Sequence, residues 1–183
     1  MPTDAELAAA YRAGGARPTG EPMPAAADLA EHYLRPLPDL RAAVAGMTRE
    51  QVVARPVAGR WSTLEVLAHL ADFEPVFVER MKRILAYDDP PQLLAADENL
   101  FFQALRYHDR DAAEELAVIE ATRASAARLI RGLSAEQLAR TGVHSTRGSQ
   151  TLEQVIRSVT GHVAHHLPFV REKRAALGLP SPA

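Results

Sequence analysis

The sequence predicts an all-α protein, a four-helix bundle with a short helical arm at its N-terminus. Three observations carry this. Ala, Leu, Arg and Glu, all strong helix formers, dominate, while aromatic residues make up only 5%. No segment alternates apolar and polar residues for long enough to make a sheet, and no Asn-Gly or Asp-Gly pair marks a hairpin. Apolar residues recur at helical spacing in four long segments joined by connections of mixed length.

Thr3 to Ala13 reads as a short helix, and the Gly/Pro-rich stretch Gly14 to Pro24 cannot continue it. Residues 1–24 therefore form an arm and leader, and 25–183 the bundle domain. The first long helix is expected from Ala25 to Gly46, interrupted or kinked near Pro36 and Pro38. Thr48-Arg-Glu-Gln resembles a capping box that opens a short helix. Ser62, with Glu65 three residues on, opens the second long helix, which reaches Tyr87 before Asp88-Asp89-Pro90-Pro91. Pro75 inside it predicts a kink or a shifted start. Gln92 to Tyr107 is a less regular helical connection. The third long helix runs from Arg110 to Arg131 and stops at Gly132, and Ser134 starts a helical turn. A loop covers Thr141 to Ser149. Thr151 then opens the fourth long helix, which ends near Leu177 before Gly178 and Pro180.

At 183 residues the chain has room for one domain with a proper core. Lys+Arg 21 against Asp+Glu 23 leaves a formal charge of -2, without the basic, aromatic-interleaved surface that nucleic acid requires. Cys 0 excludes disulfides, thiolate nucleophiles, iron–sulfur clusters and Cys-ligated zinc. No apolar run approaches a membrane span and no basic-then-apolar leader is present, so a cytoplasmic protein with no membrane partner is expected.

The seven histidines invite a metal reading, and placement decides which of them count. Leu152, Val155, Ile156, Val159, Val163 and Val170 define the inward stripe of the fourth long helix. At about 100° per residue, His162 and His166 fall inside it one turn apart, and His165 falls outside it. Two imidazoles at i and i+4 can grip one ion from a single helix face. Burying two rings without partners would cost about 1–3 kcal/mol each, which sets the metal reading level with that of two hydrogen-bonded core histidines. A third ligand has to come from another helix, and His32, His69, His108 and His144 are the candidates. His69 shares a flank with Glu65, Val66, Asp72 and Phe73, at the edge of the apolar surface, so periodicity alone does not select it.

Trp61-Ser62-x-x-Glu65-Val66-x-x-His69-Leu70-x-Asp72, then Thr151-Leu152 and His162-x-x-His165-His166-Leu167, resembles the DinB/YfiT-like family of four-helix-bundle metalloenzymes. The likeness runs from Ala25 to Leu177. It implies that His69, His162 and His166 are the three metal ligands. It also implies a divalent ion, with nickel, zinc, iron or copper all suited to imidazoles. Pro168 departs from the family pattern, where a polar residue, often Gln, is expected, and predicts a bend beside the site.

Three neutral imidazoles leave a coordination position for water or substrate. The wider superfamily includes transferases and isomerases that use a low-molecular-weight thiol, so the resemblance implies that chemistry first, on a small electrophilic substrate. A metal-dependent hydrolase and a non-enzymatic, stress-related metal-binding bundle are the alternatives. The attacking group is activated water or an external thiolate, and a homodimer is the expected assembly. Glu65 and Asp72 are the nearest carboxylates able to take up a ligand N–H, and both are equally explained as cap and surface charges. Trp61 is expected to pack at its helix start. Tyr107 and Arg147, near helix ends, are candidate substrate contacts that nothing in the sequence raises above background. Asp88-Asp89 reads as a solvated turn.

Overall fold

Side-chain caps set where three of the four bundle helices begin. A computed structural model describes residues 24–181 together with Tyr11, Ala13, Gly15 and Ala16; the expected helix Thr3–Ala13 otherwise lies outside the described residues. The first bundle helix comes in two pieces, α1 (Ala26–Leu34) and α2 (Leu37–Val44), with Pro36 as the α2 cap. Proline there has no N–H for the ladder, and the helix expected from Ala25 to Gly46 is interrupted at Pro36, as the prolines predict. The short α3 (Arg49–Val53) and the long α4 (Thr63–Ala86) both start on reciprocal capping boxes, Thr48/Gln51 and Ser62/Glu65. α5 (Glu98–Ala104) and a 3₁₀ turn (Tyr107–Asp109) lead to α6 (Ala112–Arg131), capped by Asp111. Two more capping boxes, Ser134/Gln137 and Thr151/Gln154, open α7 (Ala135–Ala139) and α8 (Leu152–Ala176). Pro75 and Pro168 both lie inside continuous helices, so Pro75 does not shift the start of its helix. No described helix is long and apolar enough to cross a membrane.

The sequence reading missed a small sheet. Strands β1 (Gln92–Leu93), β2 (Thr141–His144) and β3 (Gly148–Thr151) pair in that order, β1 parallel and β3 antiparallel to β2. The segment read as the loop Thr141–Ser149 is therefore mostly a hairpin, turning at Gly148 with φ of 72°. Part of the connection from Gln92 to Tyr107 is β1. Strands of two and four residues are too short to show alternation, and β1 is joined through nonlocal bonds such as Val143 N–H to Pro91 O at 2.9 Å. Gly142 is required by packing, because a Cβ there would sit 2.9 Å from Leu93 Cδ1.

Helices α1–α2, α4, α6 and α8 make the four-helix bundle. α4 packs on α6 and α8, α1 on the same two helices, and α2 on α8. One apolar cluster gathers Phe73, Phe77, Met81, Ile130 and Ile156, and a second gathers Leu40, Leu67, Leu70, Ile119 and Leu167. Each fully buried Leu contributes about 1.5–3 kcal/mol. A buried polar network ties all four bundle helices together. Arg123 on α6 donates from Nε to Glu74 Oε2 on α4 at 2.9 Å, from Nη1 to the Tyr33 carbonyl on α1, and from Nη2 to the Val159 carbonyl on α8. The Tyr33 hydroxyl donates to the other Glu74 oxygen. Burial pushes the Glu74 carboxyl above its usual range, and Arg123 opposes that push.

Candidate metal centre

The Ser62/Glu65 box starts α4 so that His69, one turn after Glu65, meets α8 between the two apolar clusters. His162 and His166 sit one turn apart on the facing side of α8, next in sequence to Val163 and Leu167 of the second cluster. The three rings converge, with centroids of His69–His162, His69–His166 and His162–His166 at 4.8, 4.8 and 4.9 Å. One nitrogen from each falls in a group whose members all lie within 4.8 Å of one another. His69 and His162 are both 0% exposed, and His166 is half-buried. The flank position of His69 on its own helix conceals this, because α8 covers the flank.

The Nε2 atoms of His69 and His162 are 2.9 Å apart. Two imidazole nitrogens held at about 2.0–2.1 Å from one ion, at angles near 90–110°, are separated by about 2.9–3.4 Å. The pair therefore fits a shared cation. All three rings are also in the neutral form that coordinates metal. Burial lowers the His69 pKa to about 4, with the Asp72 charge opposing and His165 reinforcing the shift. Burial first, and the neighbouring histidines second, hold His162 and His166 well below the usual value. The Nδ1 atoms of His69 and His162 have no hydrogen-bond partner among the described residues.

Neither carboxylate expected beside the ligands takes up these Nδ1 atoms. Glu65 closes its cap, accepting from Ser62 N–H at 2.7 Å, and receives both Nε and Nη2 of Arg55. Its burial would raise its pKa, but Arg55 and the Ser62 N–H hold it below the ordinary value. Asp72 forms a bidentate pair with Arg110, at 2.8 and 2.9 Å, which anchors the entry to α6. Each carboxylate is claimed by an arginine from another segment, which spacing along α4 does not reveal.

The other singled-out residues fall into place around the cluster. His165 is half-buried, its ring 5.0 Å from His166 and 5.3 Å from Tyr11, and it does not belong to the convergent donor group. His144 lies on β2, His108 is exposed beside Asp109, and His32 is on α1; none joins that group. Trp61 does more than pack at its helix start: it stacks on Phe102 at 5.0 Å and sets its edge against His69 at 5.4 Å. Tyr107 is buried beneath the Arg110 guanidinium at 4.8 Å; burial first, then Asp72, raises its pKa. Asp88 and Asp89 are exposed. Sequence reasoning missed Tyr11, which stacks on His162 at 4.7 Å, and Phe77, at 5.9 Å from the same ring. Phe73 and Phe77, four and eight residues after His69, share its face, so periodicity could have found them; nothing local marks Tyr11.

A family model for the DinB superfamily matches residues 32–170. Among solved structures, the chain is similar to YfiT from Bacillus subtilis, described as "a probable metal-dependent hydrolase with an unusual four-helix bundle topology". That likeness has a TM-score of 0.80 at 23% identity and covers 90% of this chain and 95% of YfiT. None of the curated proteins matches the chain in sequence.

Proposed function

Because the chain belongs to the DinB superfamily, we propose that His69, His162 and His166 hold one divalent metal ion and that the protein is a metal-dependent hydrolase acting on a small molecule. The observation that carries this reading is the convergence of three neutral imidazoles, two of them with Nε2 atoms 2.9 Å apart, in the wall between two bundle helices. The description of YfiT supports hydrolysis as the reaction class. A divalent ion in this place supplies Lewis acidity and makes water a competent nucleophile near neutral pH.

The protein's own residues do the rest. Burial keeps the three rings deprotonated, so no proton has to leave before an ion binds. The Tyr11 ring stacked on His162 and the Trp61 ring set edge-on against His69 cover these imidazoles and limit the approach of bulk water. The Arg123–Glu74–Tyr33 network braces the α8 turn at Val159, just before His162. Transfer to an external low-molecular-weight thiol is the second reading. In that reading the sulfur nucleophile comes with a cosubstrate, because the chain has no cysteine.

The test is metal analysis of untagged protein purified without added metal, followed by a panel of esters, amides and phosphoesters with metal-loaded and chelated protein. Thiol-independent turnover that chelation abolishes supports the hydrolase. Turnover only when a small thiol is present selects the transferase. Full metal occupancy with no turnover in either arm favours a non-enzymatic bundle.

A further inference from the structure

A cavity of about 680 Å³ lies between α4 and α5. α4 supplies Pro75 and Val76 to its wall, α5 supplies Leu100 and Phe101, and the connection from β1 to α5 supplies Leu94 and Ala96. None of His69, His162 and His166 lines it. The Phe101 ring packs against Phe73 at 5.5 Å, and Phe73 against His69 at 4.5 Å, so aromatic rings wall the cavity off from the cluster.

The apolar side of this wall lacks cover. Leu94 is 76% exposed and Leu100 61%, and no residue of α5 is buried. Large apolar side chains around a concavity are stabilised by whatever removes them from water. A protein partner is a poor fit: a stable interface takes about 800 Å² and about 20–30 residues on each side, whereas the exposed apolar wall centres on these two leucines. The volume is that of a small-molecule site.

The polar groups on the wall define the charge of the occupant. Glu79 and Arg83 pair with each other, one turn apart on α4. Asp97 and Arg80 are the other charged groups, so two carboxylates balance two guanidinium groups. Asp97 Oδ1 accepts the N–H groups of Asn99 and Leu100. Arg147, exposed at the hairpin turn, does not line this cavity. The wall therefore carries no net charge to attract an ion. Arg80 adds one specific group. It is 7% exposed and donates from Nη2 to the Leu94 carbonyl, while its Nε is buried with no acceptor among the described residues. A buried donor left unmade is costly, and a neutral oxygen on a ligand satisfies it without unbalancing the wall.

We propose that this cavity binds a neutral, largely apolar small molecule with one oxygen acceptor, its apolar body against Val76, Leu94 and Leu100 and its oxygen toward Arg80. The inference does not rest on the metal reading.

Fluorescence titration of the full-length chain with 6-propionyl-2-(dimethylamino)naphthalene tests it, since this probe is neutral, apolar and carries a carbonyl. One equivalent binds to the wild type with blue-shifted emission. 2-Acetylnaphthalene displaces the probe. 2-Naphthoate, which is anionic, and 2-ethylnaphthalene, which lacks the oxygen, are at least tenfold weaker competitors. Leu94→Asp and Leu100→Asp each weaken probe binding at least tenfold. Both side chains are exposed, so these variants fold, and circular dichroism verifies it. Leu129→Asp, at an exposed leucine on α6 outside the cavity, leaves binding unchanged. Absence of probe binding, equal displacement by 2-naphthoate or 2-ethylnaphthalene, full affinity in Leu94→Asp and Leu100→Asp, or an equal loss in Leu129→Asp overturns the site. So does sedimentation showing a wild-type dimer that Leu100→Asp dissociates, because the cavity is then an interface between copies.

Discussion

His69 and His162, 93 positions apart in the chain, face each other through Nε2 atoms 2.9 Å apart in the buried seam between α4 and α8. One contact thus ties the only two helices that carry the convergent histidines, and it makes the metal reading directly testable.

Each of His69→Ala, His162→Ala and His166→Ala removes one of three ligands and should reduce bound metal from about one equivalent to near zero. His165→Ala should leave it nearly intact, since His165 stands outside the convergent group. Metal analysis of the four variants checks this, and equal losses from all four would refute the assignment.

The pH dependence of the metal-free chain has a definite sign. His69 titrates at about 4 in the folded state and at about 6.5 when unfolded. Between these values the unfolded chain binds the extra proton, so stability rises with pH across that window and is lost as pH falls from about 6.5 toward 4. For His69 alone the loss amounts to about 3 kcal/mol. Urea denaturation from pH 7.5 to 4.5 should show the decline, and His69→Gln should make it shallower, the remainder coming from His162 and His166. A wild-type profile level across the window would contradict the neutral, buried ring.

Arg123→Met leaves Glu74 buried without its cation and should destabilise the fold by about 3–5 kcal/mol. The double variant Arg123→Met/Glu74→Gln should recover part of that loss. Denaturation midpoints of the single and double variants decide it.

Gly15 has φ of 80°, and a Cβ there would lie 1.8 Å from the Gln154 carbonyl oxygen. Gly15→Ala should therefore push the chain off the start of α8 and carry Tyr11 away from His162. Nuclear magnetic resonance of the imidazole protons reads this directly: the shielding that the stacked Tyr11 ring imposes on His162 should be lost. An unchanged His162 spectrum would show that Tyr11 is held by its own contacts.

The helix starts were legible because they are local chemistry. Thr48, Ser62, Ser134 and Thr151 each bond with a Glu or Gln three residues on, and that spacing is written in the chain. The inward stripe of α8, with His162 and His166 on it, follows from helical periodicity alone, because every other residue of the stripe is aliphatic. Membership of His69 in the set came from the resemblance of its motif. Its own helix places it on a polar flank with Glu65 and Asp72.

Only the tertiary structure decided the rest, and in each case the cause is a partner distant in sequence. α8 covers the flank of His69 and makes it fully buried. Arg55 and Arg110 claim the two carboxylates that spacing offered to the ligands. β1 pairs with β2 across some fifty residues, through strands too short to leave a pattern. Tyr11 reaches His162 from outside the bundle helices. Periodicity and capping report energies that a segment settles with itself. Burial, ion pairing and ring stacking between segments depend on which surfaces the fold brings together, and no local signal records that choice.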